Sequence, residues 1–267
     1  MTTYVGSVGN MFELRCPTTL RIADARKMST DTTLGGRVVA QLGAQSRRVW
    51  DCSIGNGDSA DISLLQMLMR SLPMPWVWLS PWAVASNILQ PDHSLWQGLS
   101  LSGATVGSIV QLEGGKFAPS LNDAASPTRS FTVQLPVIQG VPVTAGVHAR
   151  PVSVGGSVTC RMTWVDAGGS VLSSNSSSKV CASSGPLTRV TVTATPPVGA
   201  VAVYVVATGH TVLAAPSITY TPAATAWALG GGCSAAVVAA TSMDVIAAWP
   251  EVGGQRESFD FTVTEVG

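Results

Sequence analysis

Apolar and polar residues alternate in short runs along most of this chain. The clearest run is near the end, where Phe259, Phe261 and Val263 alternate with Asp260, Thr262 and Thr264. A period of two puts one face of a strand on a core and the other toward solvent. Val38, Ala40 and Leu42 share a face in the same way. On this pattern Asn10 to Cys16, Leu20 to Ala25, Gly36 to Leu42 and Arg47 to Ile54 are predicted strands, and the turn Gly55-Asn56-Gly57 ends the set. One segment departs from period two. Ile62, Leu65, Met69 and Leu72 recur at helical spacing, which predicts a helix from about Ala60 to Ser71. Asp58 or Ser59 can cap it, Asp61 suits its positive first turn, and Pro73 stops it.

The pattern breaks again at Pro91, Asp92 and Ser94, and the chain beyond them reads as β only. Phe131 to Val137, Val154 to Val165, Leu187 to Thr195, Ala200 to Thr208 and Ser234 to Ala239 are rich in Val and Thr with turn residues between them. Asp166-Ala167-Gly168-Gly169 after Met162-Thr163-Trp164-Val165 predicts a hairpin turn. Short strands at this spacing without helices make a sandwich or jelly roll. The predicted class is therefore all-β with one helix. An N-terminal β-sandwich with its helix near 60–71 occupies residues 1–92, a jelly roll 93–248, and a terminal strand 249–267. That last strand either closes the jelly roll or returns to the first domain.

Charge is sparse: 11% of residues are Asp, Glu, Lys or Arg, and net charge is zero, against roughly a quarter charged in an average soluble domain. Such a surface neither repels its copies nor steers nucleic acid. Between Arg189 and Asp244 no charged residue occurs, yet Pro196, Pro197, Pro216, Pro222 and Gly230 to Gly232 interrupt the stretch. No apolar run there approaches the ~20 residues of a spanning helix. No signal peptide is expected from MTTYVGSVGNMF, so the reading is a protein made in a host bacterial cytoplasm with reduced cysteines.

Three of the eight tryptophans, Trp76, Trp78 and Trp82, fall within PMPWVWLSPWAVASNILQP directly after the predicted helix. Pro75 and Pro81 frame a short strand, Trp76 to Leu79, and tryptophans this dense are expected to pack within the protein or its assembly. The helix, aromatic strand and SPWA block resembles the N-terminal domain of minor tail proteins of siphoviruses that infect actinobacteria, a group related to the distal tail proteins. Farther on, several segments are similar to galactose-binding jelly rolls of carbohydrate-binding modules. They are Trp164-Val165-Asp166, Arg189-Val190-Thr191-Val192 before Thr195-Pro196-Pro197, Ala215-Pro216, Trp227 with Gly230 to Cys233, and Glu265-Val266-Gly267.

The resemblance implies a virion protein of the phage tail, joining tail tube to tail tip. It also implies a hexameric or trimeric ring, with the tail tube protein and other tip proteins as partners and the jelly roll facing outward. A host-surface glycan-binding adhesin and a capsid decoration protein are the alternatives. Sugar binding needs flat aromatic faces with polar neighbours, which nominates Trp227, Trp164, Tyr204, Tyr220 and Asp166. For Trp164 the core competes with that role, since it shares parity with Cys160 and Met162, and Asp166 is equally a turn residue.

No catalytic set is expected. His93, His148 and His210 are isolated, no GxSxG elbow occurs, and Glu251 and Glu257 merely flank a glycine turn. Nor is a metal or cofactor expected. Cys16, Cys52, Cys160, Cys181 and Cys233 form no CxxC pair, although one hairpin could bring Cys160 and Cys181 opposite each other. Gly230-Gly231-Gly232 lacks the GK[ST] of a phosphate loop and reads as a turn or bulge, and the Asn175-Ser176-Ser177 sequon lies in a serine-rich loop.

Overall fold

A computed structural model describes the backbone of residues 2–32, 38–71, 74–97, 99, 101, 103–123, 128–249 and 254–266. Side chains are described for these except at 24–31, 38–46, 56, 58, 59, 61, 71, 245–249, 254 and 255. The shared face of Val38, Ala40 and Leu42, the cap at Asp58 or Ser59, Asp61, Leu72, the Pro73 stop and Glu251 therefore lie outside what is described.

The chain is nearly all β. Strands β1 (Thr2–Ser7), β2 (Asn10–Arg15), β3 (Thr19–Thr32) and β4 (Val38–Asp58) precede helix α1 (Ser59–Ser71). Then come β5 (Trp76–Leu79), the short helices α2 (Pro81–Ser86) and α3 (Pro91–Ser94), β6 (Thr105–Gln111), β7 (Phe117–Asn122), β8 (Thr128–Ser130) and β9 (Leu135–Pro136). The remainder is β10 (Val143–Pro151), β11 (Ser157–Val165), β12 (Val171–Val180), β13 (Thr188–Ala194), β14 (Ala202–Thr208), β15 (His210–Thr219), β16 (Cys233–Trp249) and β17 (Gly254–Glu265). Two compact units result, one of residues 14–78 and 234–267, the other of residues 2–13 and 79–233.

In the first unit β5, β16, β17, β4 and β3 lie side by side in that order. The expected N-terminal sandwich is thus a single sheet with α1 packed on β17 and β4. The predicted strands 20–25, 36–42 and 47–54 merge into one long hairpin, whose register runs from Thr19 opposite Ser53 to Thr32 opposite Val38. No strands remain for a second layer among the described residues of this unit. The terminal strand returns here, since β17 pairs with both β16 and β4. Its alternation is realised: Phe259, Phe261 and Val263 are buried and the residues between them half-buried. Trp78 meets Phe261 edge-on at 5.9 Å. On α1, Ile62, Leu65 and Leu68 are buried while Met69 is only half-buried, so the inward stripe runs one position earlier than predicted.

The second unit is a two-layer antiparallel sandwich. One sheet runs β13-β10-β15-β7-β6, the other β12-β11-β14-β8 with β9 beside β14. The chain crosses repeatedly between layers, as in a jelly roll. Val143, Ala145, Val147 and Ala149 of β10 line the interior with Val158, Cys160, Met162 and Trp164 of β11. The segment predicted as one strand, Phe131 to Val137, instead yields β8 and β9, with Phe131 buried between them against Trp96. The expected Cys160–Cys181 juxtaposition does not occur: Cys160 lies opposite Ser177, and Cys181 falls beyond the end of β12.

The units divide at Trp78 and Leu79 rather than near residue 92. The reason is that α2 and α3 pack on β15. The Asn87 side chain, fully buried between them, donates to the Pro216 and Ala228 carbonyls at 3.1 and 3.0 Å and accepts from the Leu89 and Ile218 amides at 3.3 and 3.1 Å. Residues 2–13 join the same unit, where Tyr4 stacks edge-on with Tyr220 at 5.8 Å. Buried Asp123 takes two hydrogen bonds from Arg129, at 2.7 and 3.0 Å, with His210 Nε2 3.5 Å away. Burial would raise the Asp123 carboxyl, but the Arg129 hydrogen bond and charge, then His210, outweigh it and hold it below its ordinary value.

Removing the Asn87 side chain takes a hydrogen bond from the Leu89 and Ile218 amides and the Ala228 carbonyl and leaves the Pro216 carbonyl only Trp227 Nε1, which is expensive. Asn87→Ala is expected to destabilise the second unit by about 3–5 kcal/mol, read as a lowered urea midpoint. An unchanged midpoint would show that the side chain is dispensable.

Candidate functional site

Strand β15 carries an irregularity that shapes the surface above it. Gly146 of β10 faces Ser217 and His148 faces Ala214, so Ala215 and Pro216 together oppose one residue. This is a β-bulge. Ala215 has a φ of 53°, left-handed backbone that alanine adopts only when its surroundings impose it. Pro216 has no N–H to give a ladder, which suits it to the bulge. The Pro216 carbonyl accepts from Trp227 Nε1 at 3.2 Å as well as from Asn87. A backbone hydrogen bond at Ala215 holds the His148 ring.

His148 and Trp227 line one cleft of about 330 Å³, together with Glu113, Lys116, Lys179, Arg189 and Thr191. A ligand pocket for a small molecule is typically about 300–1,000 Å³. Beneath it Leu112, Leu187, Ala118, Ala214 and Ala215 form an apolar cluster against which Trp227 packs. His148 on β10 and Arg189 on β13 are direct cross-strand partners, and Thr191 follows on the same face. Gly146 opposes Thr191. A Cβ there would lie 3.1 Å from Thr191 Cγ2 and 3.4 Å from Arg189 Nε, so the glycine leaves the guanidinium room to cross the sheet.

Three cations meet one carboxylate in this cleft. Glu113 Oε2 accepts the Arg189 amide at 2.9 Å, with Lys179 Nζ 3.5 Å away. The Arg189 N–H, against some burial and helped by Lys179, holds the Glu113 carboxyl below its ordinary value. Lys116 Nζ donates to the Trp227 carbonyl at 2.8 Å. Burial, then the Arg189 charge, pushes His148 down to about 4, so its ring is neutral at neutral pH. Its Nδ1 is buried without a hydrogen-bond partner among the described residues, and so is Arg189 Nε.

Of the nominated residues only Trp227 belongs to the cleft, half-buried at its edge. Trp164 is fully buried and donates Nε1–H to Asn175 Oδ1 at 2.7 Å, so it presents no face to a ligand. Tyr220 is buried with its hydroxyl on the Pro136 carbonyl. Tyr204, half-buried on β14, sits in the opposite layer. Asp166 closes the β11–β12 turn by accepting the Gly168 and Ser170 amides at 2.9 and 2.8 Å. Trp76 and Trp78 are fully buried, and Trp82 is 48% exposed. The residues missed are Glu113, Lys116, His148, Lys179, Arg189 and Thr191, which come from four segments of the chain. A signal did exist: the second unit has only eleven Asp, Glu, Lys and Arg residues, and four of them line the cleft.

Among the described residues no three His, Cys, Asp or Glu are placed to hold a metal, and no helix is long and apolar enough to cross a membrane. No family model and no curated protein matches the chain. Some solved structures share part of its shape. The enzymatically active domain of tailspike protein 4 of bacteriophage CBA120 is 9% identical, covering 51% of this chain and 21% of that one, at a TM-score of 0.33. The CBM22-1 and GH10 modules of the Clostridium thermocellum endo-1,4-β-D-xylanase 10B, complexed with xylohexaose, are 13% identical, covering 52% and 28%, at 0.32. VP2 of infectious bursal disease virus, as a subviral particle, is 9% identical, covering 100% and 56%, at 0.25. The chain spans less than two thirds of each of these, and likenesses this low carry no functional assignment.

A histidine in an unfolded chain protonates near pH 6.5, whereas His148 does so only at about 4 in the fold. Between those values the unfolded state binds more protons, so stability falls as pH drops through the window and levels off below it. His93 and His210, both lowered first by burial, act in the same direction. The depressed carboxyls Asp123 and Glu113 remove stability only at lower pH, below about 4. The urea midpoint is expected to fall between pH 7 and pH 5, with a shallower fall in His148→Gln. A flat wild-type profile over that range would contradict this account.

Proposed function

We propose that this chain is a structural protein of a phage tail, of the distal-tail or tail-tip kind, whose second unit presents a glycan-binding cleft to the host envelope. The observation that carries the binding half is the open cleft beside Trp227. An indole anchored through its Nε1 and packed on an apolar cluster offers a fixed flat edge. Donors and acceptors surround it, as the hydroxyls of a pyranose require. The assembly half is supported by the sequence resemblance and by the sparse charge, since the buried centres of stable interfaces are poor in charged residues. The edge strand β6 and its neighbour β7 also expose Ile109 at 71% and Phe117 at 61%, apolar surface suited to burial against a further copy.

An adhesin would use the same cleft as its primary function, so solution mass and glycan affinity have to be measured together. Light scattering behind size exclusion is expected to give a discrete trimer or hexamer across concentration. The full chain is expected to bind host-envelope polysaccharide, and Trp227→Ala to weaken that binding at least tenfold at a temperature where the variant is still folded. A monomer at every concentration that still binds glycan would favour the adhesin. A monomer that binds none would overturn the proposal.

A further inference from the structure

The charge of the cleft selects among sugars. Resting on the glycan-binding reading, we infer that its ligand is an acidic saccharide, one whose sugar ring carries a carboxylate or a phosphate. Lys116, Lys179 and Arg189 outnumber the single carboxylate, Glu113, in a unit where charge is scarce. Glu113 Oε2 accepts the Arg189 backbone amide with Lys179 beside it, and the carboxylate makes no hydrogen bond to Arg189 Nε. Arg189 Nε is buried without an acceptor among the described residues. Buried donors on a charged group are nearly always paired, and a bound oxyanion, which a guanidinium grips in its planar fork, completes this one.

Beside it the requirement is reversed. His148 is 97% buried, being 3% exposed, and its ring is neutral at neutral pH. Its Nδ1 has no partner among the described residues. A neutral imidazole held through its other contacts has a lone pair to offer, so this position takes a hydroxyl that donates. As direct cross-strand partners, His148 and Arg189 stand about 5 Å apart at Cβ. One monosaccharide spans that separation, with its anionic group on Arg189 and the lysines, a ring hydroxyl on His148, and its apolar face toward Trp227. A neutral sugar satisfies the histidine and leaves the arginine unpaired; a simple inorganic anion does the opposite.

The test titrates the ¹⁵N-labelled full chain with an oligohexuronate, glucose 6-phosphate, glucose and sodium sulfate, following the Trp227 indole signal, assigned with Trp227→Phe. The uronate or the sugar phosphate is expected to saturate that signal, the tighter of the two naming the anionic group, while glucose does not. Arg189→Gln is expected to weaken binding at least tenfold, and raising salt to 0.5 M to weaken it further. Lys179→Gln, at a half-exposed position that does not endanger folding, is expected to weaken it severalfold. Sulfate binding as tightly as the sugar acids means an adventitious ion only and overturns the inference. Neutral glycans binding at Trp227 with Arg189→Gln unaffected would overturn it too, while leaving the glycan reading intact. No response to any envelope glycan sinks both.

Discussion

The β-bulge at Ala215 and Pro216 is the constraint on which the second unit's surface depends. Without it β15 would stay in register with β10 and the Pro216 carbonyl would not be available to two side chains. With it, that one carbonyl ties Asn87 on one side and Trp227 on the other. A left-handed alanine costs about 1 kcal/mol or more, and the bulge forfeits part of the ladder as well. The buried hydrogen bonds of Asn87, worth about 1 kcal/mol each net, offset that cost. Strain and hydrogen bonding thus belong to the same few residues, and the cleft inherits its rigidity from them.

The glycine run 230–232 serves the same region by a different route. The Gly231 and Gly232 amides donate to the Asn87 and Leu89 carbonyls, and the Gly230 amide to Ser94 Oγ. A Cβ on Gly230 or Gly232 would collide with the backbone at Leu89 or Ile88, and one on Gly231 with the Trp82 ring. Backbone lies on backbone here, so no side chain fits between them. The segment is a packing device that anchors the chain just after Trp227 against residues 87–94, neither a free turn nor a phosphate loop. In the first unit, closure depends instead on charge: Arg48 donates to both Glu265 oxygens, at 3.0 and 2.7 Å, and lies 4.9 Å from the Trp50 ring. A two-point guanidinium pair of this kind holds the last strand against β4.

What was legible in the sequence was local. The helical spacing of Ile62 and Leu65, the period of two around Phe261, the Asp166 turn and the proline-framed Trp76 strand each declare their own conformation. Parity likewise placed Trp164 with Cys160 and Met162 inside the sandwich. Pairing was not legible. Nothing in the alternation of residues 20–54 says that three predicted strands form a single hairpin, because period two fixes a face and not a partner. The cleft escaped for the same reason: Glu113, His148, Lys179, Arg189 and Trp227 meet only once β10 and β13 pair and residues 221–232 fold back. Aromatic residues drew attention by type, whereas the informative observation was where so few charges gather.

That scarcity also governs how the cleft would act. The whole chain carries no net charge, so it exerts no long-range pull on an anionic surface. Attraction begins only when an acidic group comes within about 8 Å, the screening length at physiological salt. Inside that distance few other charges compete, and Glu113 is already engaged. Recognition of this kind discriminates by contact and contributes little to the rate of encounter. A single weak cleft of this kind would gain strength if several were held in one assembly, because each bound copy would raise the effective concentration of the next. On the proposed reading, low charge serves both ends: a surface poor in charge would let copies pack together and would leave the cleft as the local charged feature for an acidic polymer to meet.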